Sequence, residues 1–245
     1  MVRAWIVIAL LSGATARAET HCRAIAGGSL KLESIDANER LAFLRDALRR
    51  GARHARIYHW GWTAIYAGLT AYNGGRIASD DAYNRINDYF GTGASAFGLL
   101  VLWIAPLKVM RDQRWLERRL SRAPPDEDRC AQLADAERLL LRDAEGEAFG
   151  KSALIHIGNF AFNTGLALVL GIGFGHWDQA AIQGLVGVAV GELQSFTQPS
   201  DEIVTLARYR RADLRREPDR ALRWHLWAAP LLREQGAIVS AGVNF

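Results

Sequence analysis

Three stretches of this chain contain no Asp, Glu, Lys or Arg: Ile57 to Gly75, Tyr89 to Leu107, and Ser152 to Trp177. Each is close to, or longer than, the roughly 20 residues that cross the hydrocarbon core of a bilayer as a helix. A helix on the surface of a soluble protein would carry charges on its outer face, and these carry none. A fourth stretch, Ala180 to Phe196, is interrupted only by Glu192. The charges crowd instead into 31–56, 107–151 and 200–235, so a mean hydropathy near zero conceals strong segregation. The pattern predicts spans over about 57–72, 89–107, 152–174 and 180–196. Tyr58, Trp60 and Trp62 at one end of the first span, and Tyr72 at the other, suit a bilayer interface. Small residues at four-residue spacing (Gly91 with Ser95, Ala94 with Gly98) let helix backbones approach closely in lipid. Gly184, Gly187 and Gly191 do the same in the last span.

The spans fall into two copies of one unit. Arg45-Asp46-Ala47 is followed by His59, Gly61, Gly68 and Leu69 at the distances that separate Arg142-Asp143-Ala144 from His156, Gly158, Gly165 and Leu166. Gly91, Gly98 and Pro106 match Gly184, Gly191 and Pro199 in the same way. Internal similarity at fixed spacing is the signature of a repeated architecture. The expected fold is an all-α membrane protein with four transmembrane helices as two tandem-duplicated hairpins. Amphipathic helices flank the hairpins, and a C-terminal β-hairpin follows. The first repeat covers 19–122 and the second 126–216. In the first, Asp36 and Glu39 form a capping-box pattern, and Leu41, Leu44 and Leu48 mark one face of an arm running to about Arg53. A long polar connection is expected over Asn73 to Asp88. Pro106 ends the second span, and Pro124-Pro125 separates the repeats. In 217–245, alternating apolar residues around Arg233-Glu234-Gln235-Gly236 predict a two-stranded ladder. The last residues, apolar at every second position and closing in Phe245, resemble the final strand of outer-membrane β-barrels. The rest of the chain supplies no barrel strands, so the likeness implies no barrel.

Arg3, the apolar run Ala4 to Leu11 and the site Ala16-Arg17-Ala18 have the three parts of a cleaved secretory signal, 1–18. Export would place Cys22 and Cys130 on one oxidising side, where a disulfide between them is allowed. The Arg-rich regions lie on that same side, whereas the positive-inside rule assigns it to the cytoplasm. The cleavage site favours export, with a location in a bacterial cell envelope membrane.

Arg residues of the charged regions are matched by Asp and Glu, without interleaved aromatics, which argues against nucleic acid as a partner. Gly91-Thr92-Gly93-Ala94-Ser95-Ala96 fits a dinucleotide-binding pattern but lacks the preceding strand that the motif needs. No zinc-protease, P-loop or nucleophile-elbow motif occurs, and no cofactor is expected. Two histidines could ligate a haem, but nothing in their spacing is specific to one. Asp46 and Asp143 are expected to pair with nearby Arg in their own helices.

Ionisable groups inside spans raise a functional question by default. His59 and His156 occupy equivalent places, and Glu192 falls opposite His156 in an antiparallel pair. Asn159 and Asn163 continue the His156 face, where the first copy has Trp62 and Tyr66. The leading expectation is a non-enzymatic scaffold or partner subunit that meets the lipid bilayer and a protein partner or another copy of itself. The alternative is a small transporter or proton-conducting element using that polar stripe.

Overall fold

The computed structural model describes residues 20–124 and 126–215, and the backbone of 223–231 and 236–244. The expected signal peptide, 1–18, lies outside the described residues. The described helices are α1 (Leu30–Glu33), α2 (Ala37–Arg76), α3 (Ala82–Ile104), α4 (Val109–Ser121), α5 (Arg129–Gly150), α6 (Ala153–Phe174), α7 (Trp177–Thr197) and α8 (Asp201–Arg210). β1 (Arg223–Leu231) and β2 (Gly236–Asn244) pair antiparallel, with Trp224 opposite Val243. The turn expected between them, 232–235, lies outside the described residues.

Local chemistry explains most of the boundaries. Asp36 caps α2 by accepting from the Asn38 N–H at 2.9 Å, and its other oxygen accepts from Thr20 N at 2.9 Å. Those bonds pull the Asp36 carboxyl below its ordinary range, the Thr20 bond most of all. Asp81 and Asp128 cap α3 and α5 likewise. α3 stops at Ile104, just before Pro106 disfavours further helix. Gly175, at φ +74°, closes α6 through a left-handed turn: its N–H bonds Gly171 O and that of His176 bonds Leu170 O.

Two sequence expectations are corrected. The arm to Arg53 and the first span are one unbroken 40-residue helix, α2. The connection expected over Asn73 to Asp88 shrinks to residues 77–81. Asn73, Gly74 and Gly75 read as breakers, yet Asn73 Nδ2 donates to Leu69 O and its side chain fills the space above Gly91. Here side-chain packing against a neighbouring helix overrides weak local propensity.

The helices build two regions. The first half of α2 packs with α4, α5 and α8 around a continuous apolar core of Leu44, Leu48, Leu116, Leu133 and Leu140. A disulfide between Cys22 and Cys130 (Cα–Cα 5.5 Å) ties the N-terminal segment to α5. Beyond it, the second half of α2 lies antiparallel against α3, and α6 against α7. In this second region large apolar side chains point outward: Ile104, Ile172 and Leu185 are each more than 70% exposed. Two stretches, 82–121 and 153–174, are long and apolar enough to cross a membrane by length and composition. Only 17% and 11% of their apolar windows are buried. The core helix of a soluble protein would be mostly buried, and these are not.

Candidate functional site

Where α6 meets α7, glycines on one helix make room for polar side chains on the other. A Cβ at Gly191 would collide with Asn159 Oδ1, and one at Gly187 with Asn163 Oδ1. The resulting contact is a ladder. His156 Nδ1 lies 2.6 Å from Glu192 Oε2. Asn159 Nδ2 donates to Glu192 Oε1 at 2.9 Å and to Val188 O at 3.0 Å. Asn163 Nδ2 donates to Asn159 O at 2.9 Å and to its Oδ1 at 2.8 Å. The structure therefore brings His156, Asn159, Asn163 and Glu192 into one network. It leaves His59 apart: that ring packs edge-on to Trp60 and Trp103, at 5.6 and 5.5 Å between centroids.

The matching contact between α2 and α3 is aromatic. Gly98 seats Tyr66 as Gly191 seats Asn159. Tyr66 OH then reaches across to the other pair, donating to Gln194 Oε1 at 2.7 Å, and Trp62 Nε1 donates to Thr197 Oγ1 at 3.0 Å. At the opposite end of the four helices, His176 Nδ1 lies 3.0 Å from Asn87 Oδ1, and Tyr83 OH donates to Asp178 Oδ1 at 2.5 Å. Phe97 stacks on Phe162 between α3 and α6. Between these contacts the two helix pairs separate and leave a cavity of about 700 Å³. A void of this size is within the range of ligand pockets. No spacing in the sequence announced it, because it is a gap between helices and not a property of any one of them.

The first region holds a second unexpected feature. Asp143, Glu147 and Glu202 are buried beside one another, and neither oxygen of Asp143 or Glu202 has a hydrogen-bond partner. Glu147 Oε2 accepts from the Glu202 and Ile203 N–H groups that open α8. Burial pushes the Glu147 carboxyl up to about 8 and, with Asp112 alongside, the Asp143 carboxyl up to about 9. Burial first, then Glu147 and Asp143, raise the Glu202 carboxyl well above its ordinary value. All three carboxyls are thus displaced toward their neutral form, a consequence of desolvation among like charges. The expectation of a local ion pair holds for Asp46, which bonds Arg50. It fails for Asp143, whose neighbour Arg142 turns to Asp112 on α4 instead. Among the described residues, no group of His, Cys, Asp and Glu is arranged to hold a metal ion. No family model matches this chain, and neither a curated protein nor a solved structure is similar to it.

Proposed function

We propose that this chain is a four-span envelope membrane protein, built as a duplicated hairpin, that works as a non-enzymatic scaffold or partner subunit. The observation that carries this reading is the set of glycines its own helices do not use. Gly61 and Gly68 on α2, and Gly165 and Gly173 on α6, have nothing within 4 Å of where a side chain would begin. They lie on faces that also expose Trp60, Ile65, Val169 and Ile172. Small residues on a lipid-facing helix permit close docking of another helix.

The polar ladder supports the same reading over the transport alternative. Its hydrogen bonds close within α6 and α7, which makes it a fastening between two helices. A conducting path would need partners at both ends. The Cys22–Cys130 disulfide favours an exported first region, since such bonds persist on oxidising sides of membranes. That supports signal cleavage over the cytoplasmic side that the positive-inside rule gives the Arg-rich loops.

The deciding experiment is alkaline extraction of membranes followed by purification of the full chain in mild detergent. Retention in the membrane and a stable companion or defined homo-oligomer are expected. A chain released by alkali, or a solitary monomer, refutes the reading. Reporter fusions at residues 126 and 80 should report the non-cytoplasmic and cytoplasmic sides respectively; the reverse result would refute signal cleavage. Uptake by proteoliposomes should be unchanged by Glu192→Gln, and a loss of flux would favour transport.

A further inference from the structure

We infer that the cavity between the two helix pairs is a binding site for one bilayer phospholipid whose head group carries an ammonium. The inference rests on the membrane reading above for the supply of that lipid.

The end of the cavity at Asn87 and Asp88 differs from the rest in holding buried polar atoms without hydrogen bonds. Along α3 its wall runs from Asn84 to Val101, and the part from Asn87 to Val101 spans about 20 Å at the helical rise. That is somewhat more than one leaflet of a ~30 Å hydrocarbon core. Leu69, Phe97, Val101, Phe162, Leu166 and Leu170 line it, together with Asn159, Asn163 and Gln194. Folded proteins leave few gaps this large between packed helices, and the apolar part of the lining offers water few partners. An acyl chain satisfies both conditions.

The far end is polar, and it is incompletely bonded. Asn87 is 6% exposed and Asp88 4% exposed, and both line the cavity. Asn87 Oδ1 is engaged by His176, but Asn87 Nδ2 has no partner. Asp88 Oδ2 has no hydrogen bond either, with Arg76 Nε 3.7 Å away. Arg76 is already shared: its Nη2 donates to Asp80 Oδ2 at 2.7 Å and its Nη1 to Tyr72 OH at 3.1 Å. Two carboxyl groups therefore face one guanidinium, and burial together with the neighbouring Asp80 raises the Asp88 carboxyl; a cationic donor beside Asp88 and an acceptor beside Asn87 would meet what is left unbonded. Buried polar atoms normally find partners. A phosphate or ester oxygen on Asn87 and an ammonium on Asp88 would meet both needs. These residues sit just outside the apolar stretches, at the depth where lipid head groups lie.

The test uses the full chain in detergent, stripped of lipid and then offered vesicles of phosphatidylethanolamine or phosphatidylglycerol. Native mass spectrometry counts the lipids that survive washing. About one retained phosphatidylethanolamine per chain is expected, with phosphatidylglycerol retained at least tenfold less. Ala94→Trp and Leu166→Trp, which fill the cavity from opposite walls, should each lower retention about tenfold while keeping the parent's thermal transition. If one variant fails to fold, the other still decides. Asp88→Asn should keep lipid binding but lose the preference between head groups. No retained lipid, or equal retention in a correctly folded Trp variant, overturns the site. Equal retention of both lipids by the parent chain overturns the head-group assignment. A chain found outside the membrane fraction defeats the membrane reading, whereas a membrane-embedded chain without lipid defeats this inference alone.

Discussion

The two regions of this molecule invert one another, and a single helix passes through both. In the first half of α2, Leu44 and Leu48 are fully buried, while the Arg49 side chain is 59% exposed. In its second half, Trp60, Ile65 and Tyr72 are exposed, while His59, Trp62 and Tyr66 are buried. The change falls near Arg56, with no break in the helix. The same backbone thus meets two environments. Around α5 and α8 the interior is apolar and the surface charged, as burial from water requires. Around α6 and α7 the interior holds glycine, asparagine and the His156–Glu192 contact, and the exterior is Leu, Ile, Val and Phe. That second arrangement fits the proposed membrane setting, where the exterior has no water to avoid.

The difference between the regions is sharpest where a charge is fully enclosed. Arg40 on α2 is 0% exposed. Its Nε donates to Tyr209 OH at 2.9 Å, its Nη1 to Cys22 O at 2.7 Å, and its Nη2 to Glu137 Oε1 at 2.5 Å. Removing one member of such a buried pair strands the other. Arg40→Met should destabilise the first region by about 3–5 kcal/mol, read as a drop in the detergent-solubilised thermal transition. A loss under 1 kcal/mol would mean that Glu137 and Tyr209 satisfy each other without it.

Substitutions at equally exposed apolar residues separate the regions more directly. Leu30 is 85% exposed in the first region and Leu185 is 74% exposed near the middle of α7. Exposed sites in water tolerate change within about 0.5 kcal/mol, so Leu30→Lys should be silent. A lysine near the centre of a span costs about 2.5–3.5 kcal/mol, so Leu185→Lys should impair membrane insertion in a reporter assay. Equal effects at the two sites would break the comparison.

How far the sequence foretold these regions depends on what each feature is made of. The uncharged stretches fall largely on α2, α3, α6 and α7, because exclusion of charge is a property of composition alone. The nearness of His156 to Glu192 followed from spacing and antiparallel geometry. The break assigned at Asn73 to Asp88 failed because Asn73 seats against Gly91, a contact between helices. Glu202 was illegible for the same reason: an acid in the first turn of a helix is commonplace, and only packing against Gly51 shows that it is enclosed. The signal segment lies outside the described residues.

The enclosed acids give the first region a pH dependence. In the unfolded chain Asp143, Glu147 and Glu202 would lose their protons near pH 4, whereas in the fold Asp143 is pushed up to about 9, Glu147 up to about 8 and Glu202 well above its ordinary value. Between those limits the folded state binds more protons, so stability falls as pH rises. The thermal transition should decline steadily from pH 5 to pH 9. Glu202→Gln, which cannot ionise, should flatten that decline. A transition that rises with pH would show that the acids are ionised in the fold.

The smallest effect is expected inside the polar ladder. Asn159 bonds Val188 O, Glu192 and Asn163, which in a soluble core would make it indispensable. Within a membrane, measured side-chain hydrogen bonds between helices average only about 0.6 kcal/mol, because the separated helices also find partners. Asn159→Ala should therefore cost about 1 kcal/mol or less, even though it opens space beside Gly191. Asn159→Leu should cost more, since its branched end would press on the Gly191 backbone. The ranking matters because it separates fastening from function. If Asn159→Ala left stability intact yet altered uptake by proteoliposomes, the ladder would be a working element and not a clasp.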